Sequence, residues 1–166
     1  GDVTAIFVNG KGKRHETLIS THDLSRADEF PNTWYAQFDQ HTQSYYVVGT
    51  LGRKSVRLHR WIMLVDCTKC IDHENHKTLD NTRDNLREAT NAQNLQNKKG
   101  TYKNSKSGFR GVTRHKDKWR ARVHINGKEI CLGLHEDIQV AVKVVLEARA
   151  THLPFSQEAS QSAMIE

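Results

Sequence analysis

Short runs of alternating apolar and polar residues dominate the first third of the chain. The apolar run AIFV at 5–8 ends at an Asn-Gly pair, and the aromatic runs TWYA at 33–36 and SYYVV at 44–48 flank a polar turn. Runs of this kind, bounded by turn residues, are typical of β-strands that pair in hairpins. We therefore predict an antiparallel β region from Val3 to Leu58.

A second strand-rich pattern follows residue 107. Apolar runs at 109–114, 119–125 and 129–134 predict three antiparallel strands, and Asn126-Gly127 is a strong hairpin signal between the last two. A helix should then open at Asp137 and cover one face of this sheet. Its apolar residues at helical spacing are Ile138, Ala141, Val142, Val145 and Ala148. From Leu153 we expect a frayed tail.

Between these regions the chain changes to a polar loop and a predicted helix. The run NLRE has the form of a capping box, so we expect Asn85 to be the N-cap of a helix that runs to Asn97. The basic run KKGTYKNSKS at 98–107 lacks apolar periodicity and predicts an extended linker. The prediction is an α+β chain with domains at 1–97 and 108–153 and a tail at 154–166.

The distribution of charge points to a phosphate-bearing partner. The chain carries a formal net charge of +6, and ten Lys or Arg residues lie between Lys98 and Arg122 against the single acid Asp117. Such clustering is the electrostatic footprint of a nucleic-acid-binding surface, and a solvated basic face without a partner is the alternative. Three cysteines cannot form a complete disulfide framework, and no apolar run is long enough for a membrane span.

One stretch, IDHENHKTLDNTRDNLREATNAQNLQN, combines a carboxylate, an imidazole and two amides. Asp72 and His73 follow an apolar residue, Asn85 stands at the predicted helix start, and Asn94 lies inside that helix. This order resembles the HNH endonucleases of phages and mobile introns, from about Leu58 to Asn97. The resemblance implies a ββα-metal unit, in which a strand carries Asp-His, a loop turns back and a helix supplies the last metal ligand.

The resemblance also implies a role for each residue. Asp72 and Asn94 would bind the metal, His73 would be the general base, and Asn85 would fix the loop. Hydrolysis of a phosphodiester needs an activated water and a cation near the leaving oxygen, and oxygen ligands favour Mg²⁺ or Mn²⁺ over Zn²⁺. Arg60, in an LHR motif before the site, would contact the scissile phosphate, and an ion pair to a loop acid is an equal alternative.

Zinc is a less favoured alternative as the cofactor. Cys67 and Cys70 have the spacing of zinc ligands, and His73 and His76 follow them. A zinc knuckle needs ligands that converge from two segments, and zinc binding would remove His73 as a base. His76 is otherwise either a second imidazole at the site or a solvated loop residue.

The segment SGFRGVTRHKDKWRARVHINGKEICLGLHEDIQVAVKVVLEA resembles the AP2 domain. The resemblance covers about Ser107 to Leu153 and rests on FRGV, the WRA segment and the LG before the helix. It implies a three-stranded sheet that lies in the major groove of double-stranded DNA, with the helix behind it. Strand alternation independently turns Ala121 and Val123 to one face and Arg120, Arg122 and His124 to the other.

Two groups of residues are expected to contact DNA. Arginine is well shaped to pair with guanine edges, which makes Arg122 the leading candidate for reading bases. In the AP2-like domain the DNA-facing candidates are Arg110, Thr113, His115, Lys118, Arg120, Arg122, His124 and Glu129. In the linker, phosphates should be followed by Lys98, Lys99, Lys103 and Lys106.

Together these patterns predict a magnesium- or manganese-dependent DNA endonuclease of the homing type. A monomer should nick one strand, and a double-strand break would need a homodimer or two binding events. Double-stranded DNA is the expected partner, with no membrane and no small-molecule substrate, in the cytoplasm of a bacterial or phage-infected cell. A DNA-binding regulator with an inactive nuclease half and a structural zinc protein that binds nucleic acid are the alternatives.

Overall fold

The computed structural model describes residues 1–66, 68–98 and 105–157. The chain is α+β with mostly strands, and its contacts divide it into two compact units, Gly1–Asn94 and Leu95–Glu166. The strands that precede the boundary are β1 (Val3–Gly10), β2 (Lys13–Ser20), β3 (Tyr35–Asp39), β4 (Ser44–Leu51), β5 (Lys54–Arg57), β6 (Cys70–His73), β7 (Asp80–Asn81) and β8 (Leu86–Ala89). The helices are α1 (Leu24–Asp28), which follows a 3-10 turn at Thr21–Asp23, α2 (Leu58–Met63) and α3 (Asn91–Gln96), which contains the boundary.

Six of these strands form one curled sheet in the order β5-β4-β3-β1-β2-β7. The pairs β1–β2, β3–β4 and β4–β5 are antiparallel, as the hairpin patterns predict. The prediction of an antiparallel region from Val3 to Leu58 is wrong at one place, because β1 pairs with β3 in parallel. A second parallel pair joins β2 to β7, which lies beyond that region. In each parallel pair, the chain between the two strands forms a crossover connection, so the second strand runs in the same direction as the first.

The core of the first unit lies between the sheet and helices α1 and α2. Its buried apolar residues are Val8, Ile19, Ala27, Ala36, Val47, Leu58, Ile62 and Leu86. Near this core, the Arg83 guanidinium donates to both carboxylate oxygens of Asp23 at 2.7 Å and to the carbonyl of Ile62 at 2.7 Å. This contact ties the segment before β8 to the turn before α1.

Strands β6 and β8 form a separate antiparallel pair, with Asp72 opposite Arg87 and His73 opposite Leu86. The prediction that a helix starts at Asn85 is therefore wrong. Leu86 is only 5% exposed and packs in the core as part of a strand, so tertiary packing outweighs the local capping pattern.

The capping box lies five residues farther along the chain. The Gln93 amide N–H donates to Thr90 Oγ1 at 3.2 Å, and the Thr90 amide N–H donates to Gln93 Oε1 at 2.8 Å. This reciprocal pair satisfies two N–H groups at the start of α3, which begins at Asn91.

The second unit has a three-stranded antiparallel sheet and one long helix, as predicted. The strands are β9 (Val112–His115), β10 (Lys118–Ile125) and β11 (Lys128–His135), in the order β11-β10-β9, and the helix is α4 (Ile138–His152). Asn126 and Gly127 have φ values of 51° and 78°, which suits the two-residue hairpin that the sequence predicts. The Asp137 carboxylate accepts from the Gln139 amide at 2.7 Å and caps α4.

The sheet and α4 bury a small core between them. Val112, Ala121, Ala141 and Val145 are each 2% exposed or less, which confirms the predicted apolar stripe on the helix. The chain after α4 differs from the prediction of a frayed tail, because Leu153 and Ser156 are buried. Residues 158–166 of the predicted tail lie outside the described part of the chain.

Candidate functional site

The end of β6 brings an acid and an imidazole into a buried setting. Asp72 and His73 are 7% and 6% exposed. The facing strand places Arg87 directly opposite Asp72, and its Nε and Nη2 donate to Asp72 Oδ2 at 3.0 and 2.9 Å. A third nitrogen of the same guanidinium, Nη1, lies 3.5 Å from Glu74 Oε2. Arg87 therefore joins the two carboxylates that flank His73 in sequence.

A chain of hydrogen bonds sets the orientation of the His73 ring. The Thr17 hydroxyl donates to the carbonyl of Leu79 at 2.6 Å and accepts from Asn81 Nδ2 at 2.8 Å. This leaves Asn81 Oδ1 facing His73 Nε2, at 3.4 Å. Because an amide oxygen only accepts, this contact places the proton of the neutral His73 ring on Nε2.

Two further rings enclose His73. His59, from α2, is 4% exposed, and its ring centroid lies 4.9 Å from that of His73. Tyr46, from β4, has its ring centroid 6.1 Å from each imidazole. Burial lowers the pKa of His59 to about 3, and burial likewise lowers the pKa of His73, although the Asn81 hydrogen bond and the Asp72 charge oppose that shift. Both imidazoles are therefore neutral at pH 7.

Asn85 closes the loop between β6 and β8. Its side chain is buried, accepts from the Asn75 amide N–H at 2.9 Å and donates to the carbonyl of Asp80 at 2.7 Å. Its own carbonyl accepts from the Glu74 amide N–H at 2.9 Å. Three bonds from one residue thus hold the two ends of this loop together beside His73.

The structure places the remaining nuclease candidates in different settings. Asn94 is exposed on α3, the helix that follows β8 in the chain. The Arg60 guanidinium, on α2, donates to the main-chain carbonyls of Lys69 and Asp66 at 3.1 and 3.2 Å. These two bonds brace the connector before β6.

The two metal ligands that the sequence predicts are an acid, Asp72, and an amide, Asn94. Within residues 1–66, 68–98 and 105–157, no three His, Cys, Asp or Glu side chains are grouped so that they could hold a metal ion. Of the two expected ligands, only Asp72 belongs to these four residue types, because Asn94 is an amide. For the zinc alternative, Cys67 lies outside the described residues, and Cys70 Sγ donates to Asn91 Oδ1 at 2.9 Å.

Several residues of this site carry no role in the sequence prediction. Asn81 and Arg87 lie inside the HNH-like stretch, and His59 lies in the LHR motif, so the motif itself could have indicated them. Thr17 is 64 residues away from Asn81 in the chain and gives no sequence signal. Only the parallel pairing of β2 with β7 brings these two residues together.

In the second unit, the outer face of the sheet is basic. Ala121 and Val123 are buried against α4, whereas Arg120 and Arg122 are partly exposed and His124 is exposed. The register adds Thr113 and His115 from β9 and Glu129 from β11 to the face that carries the arginines. The alternation predicted for β10 is thus present in the structure.

Acids and a histidine orient the basic side chains of this face. Arg122 Nη1 donates to Glu129 Oε2 at 2.8 Å, and His124 Nε2 lies 3.4 Å from the same oxygen. Arg120 Nη2 lies 2.9 Å from His115 Nδ1. Lys118, at the strand start, pairs with Glu136 at 3.4 Å.

The other DNA candidates lie around the start of this unit. The Arg110 guanidinium donates to the carbonyls of Leu95, Gln96 and Lys98 at 2.8, 3.3 and 3.0 Å. It therefore binds the carboxyl end of α3 within its own unit. Lys98 and Lys106 are exposed, and Lys99 and Lys103 lie outside the described residues.

Comparison with protein-family models, with curated proteins and with solved structures gives no match to the chain. No helix in the described part of the chain is long and apolar enough to span a bilayer. Function has to be inferred from the side chains themselves.

Proposed function

We propose that the chain is a metal-dependent DNA endonuclease of the HNH type, with an AP2-like unit that holds it on double-stranded DNA. The observation that carries this proposal is the setting of His73. Its neutral imidazole is oriented by Asn81 and stands next to the Asp72 carboxylate at the end of a strand that pairs with β8 and is followed by α3.

His73 has the properties of a general base. A neutral imidazole can accept a proton from water while the water oxygen attacks phosphorus. The bond from phosphorus to the leaving oxygen then breaks. Positioned proton transfer of this kind typically contributes about 10²–10⁴ in rate.

The oxygen atoms of the two proposed ligands suit a hard divalent cation. Asp72 offers a carboxylate and Asn94 an amide oxygen, and both are ligands that Mg²⁺ and Mn²⁺ favour over softer metals. When bound, such an ion stabilises charge that develops on the leaving oxygen. Asn85 holds the loop beside His73. Arg60 braces the connector before β6, and in this proposal it also contacts the scissile phosphate.

The basic sheet face supports double-stranded DNA as the substrate. Arg120, Arg122 and His124 alternate with core residues along one strand, so they lie on one side of the sheet. Bidentate contacts from arginine to guanine would provide site preference, as in a homing-type enzyme. One base and one pair of metal ligands serve one phosphodiester, so a monomer would nick.

Nicking of supercoiled plasmid tests the proposal. With Mg²⁺ or Mn²⁺ the protein should convert supercoiled plasmid to open circles, and EDTA should stop the reaction. His73→Ala should lower the rate by about 100-fold or more. His41→Ala, which removes an exposed histidine of the same unit, is the matched control and should keep the wild-type rate.

The same experiment separates the alternatives. Tight DNA binding without cutting, in the presence of either metal, would favour a regulator with an inactive nuclease half. Zinc that survives dialysis and is lost in Cys67→Ala would favour the structural zinc protein.

A further inference from the structure

Arg87 is bound to Asp72, the carboxylate that the proposed function takes as a metal ligand. Two of its nitrogens donate to the same oxygen, Asp72 Oδ2, at 3.0 and 2.9 Å. The side chains of Arg87 and Asp72 are 19% and 8% exposed, so this ion pair is largely shielded from water. Charge-assisted bonds of this geometry are among the stronger hydrogen bonds in proteins.

The backbone fixes this contact. Asp72 and Arg87 are direct partners in the antiparallel register of β6 and β8, so their side chains emerge on the same face of the hairpin. Glu74 lies two residues beyond Asp72, and its carboxylate is 3.5 Å from the same guanidinium. One positive charge thus lies close to two negative charges, and one of these belongs to the proposed metal ligand Asp72.

We infer that Arg87 is a positioning residue that aims the Asp72 carboxylate and competes with the divalent cation for it. The inference rests on the proposed function, because it takes Asp72 as a metal ligand. A cation that binds Asp72 has to displace the guanidinium from Oδ2 or tolerate its positive charge nearby. Arg87 therefore keeps the affinity for the free cation low.

A purely structural ion pair makes the opposite prediction. If Arg87 only stabilised the β6–β8 hairpin, its removal would loosen the site and weaken metal binding. If Arg87 competes with the cation, its removal leaves Asp72 and Glu74 without their shared positive charge and strengthens metal binding. The sign of the change in Kd separates the two roles, which a loss of nicking activity alone would not do.

The test is the binding of Mn²⁺ to the full chain without DNA. Binding is monitored through the electron paramagnetic resonance signal of the free ion. We expect Arg87→Gln to bind Mn²⁺ about tenfold more tightly than the wild type, because it removes one unit charge at close range in a shielded site. Arg14→Gln makes the same chemical change at an exposed position of the same unit and should stay within about twofold of the wild type. Asp72→Asn should weaken Mn²⁺ binding by about tenfold or more.

An unchanged or higher Kd in a folded Arg87→Gln protein would overturn the inference, and so would an equal gain in affinity from Arg14→Gln. If Arg87→Gln does not fold, Arg87→Lys keeps the charge but loses the two-point contact. We expect that variant to bind about threefold more tightly, because a lysine lacks the two-point contact and is displaced from Asp72 more easily, and an unchanged or higher Kd would overturn the inference as well.

The outcome for Asp72→Asn distinguishes this inference from the proposed function. Mn²⁺ binding that does not depend on Asp72 would overturn both. A different result would overturn the role of Arg87 alone. In that case the wild type nicks DNA with metal and binds Mn²⁺ through Asp72, but Arg87→Gln does not bind Mn²⁺ more tightly.

Discussion

The imidazole rings of His59 and His73 stand edge to face, at an interplanar angle of 86° and a centroid distance of 4.9 Å. His59 comes from α2 and His73 from the end of β6, so the contact joins two elements that follow one another in the chain. Both rings are removed from water, and removal from water favours the neutral form of an imidazole.

The free energy of unfolding should fall as the pH is lowered from about 6.5 toward 3. Burial lowers the pKa of His59 from 6.5 to about 3, and the charges of His73, Arg57 and Arg60 act in the same direction. In this window the unfolded chain binds a proton that the folded chain does not. Stability is therefore full above pH 6.5 and declines below it, by up to about 1.4 kcal/mol per pH unit for this group.

Urea denaturation at pH 7, 6 and 5 measures this slope. His59→Phe keeps a ring in the packing and removes the titrating group, so its unfolding free energy should depend less steeply on pH. Equal slopes for the two proteins would contradict the assignment of this pH dependence to His59.

Thr90→Ala should lower the free energy of unfolding by about 1 kcal/mol, which is typical of the loss of an N-cap side chain. The Thr90 hydroxyl accepts from the Gln93 amide, and Gln93 returns a bond to the Thr90 amide. Thr90→Ser retains the oxygen and should remain close to the wild type. Chemical denaturation measures both variants, and equal stability of Thr90→Ala and the wild type would contradict the capping box.

Arg122→Ala should reduce the preference of the protein for its DNA site. Arg122 lies on the outer sheet face, held by Glu129, whereas Lys106 is an exposed lysine that precedes the first strand of this sheet. Lys106→Ala should therefore weaken binding to all sequences alike and lower the salt slope by about 1. Competition binding with specific and random duplexes at several salt concentrations distinguishes the two variants. An equal loss of site preference in both variants would contradict this division of roles.

Local sequence signals predict the second unit well. The Asn126-Gly127 hairpin, the alternation along β10 and the apolar stripe of α4 each depend on residues close together in the chain. The same signals fail at Asn85, where a capping-like run forms β8. There the burial of Leu86 and the pairing of β8 with β6 decide the structure. Both depend on residues outside the local run, so the local pattern cannot predict them.

The candidate site is predictable only as far as its motif extends. Asp72, His73 and Asn85 follow from the HNH-like order, and all three lie at the β6–β8 hairpin. The partners that set their chemistry do not follow from it. Thr17 reaches Asn81 through the parallel pairing of β2 with β7, and Tyr46, from β4, places its ring beside that of His73.

The most direct test of the central claim is chemical rescue of the general base. The single-turnover rate of plasmid nicking should be about 100-fold or more lower in His73→Gly than in the wild type and should rise with added imidazole, which can supply the missing proton acceptor. Asp72→Asn should gain nothing from imidazole, because it lacks a carboxylate rather than a base. A His73→Gly protein that nicks at the wild-type rate without imidazole would contradict the role of His73 in DNA hydrolysis.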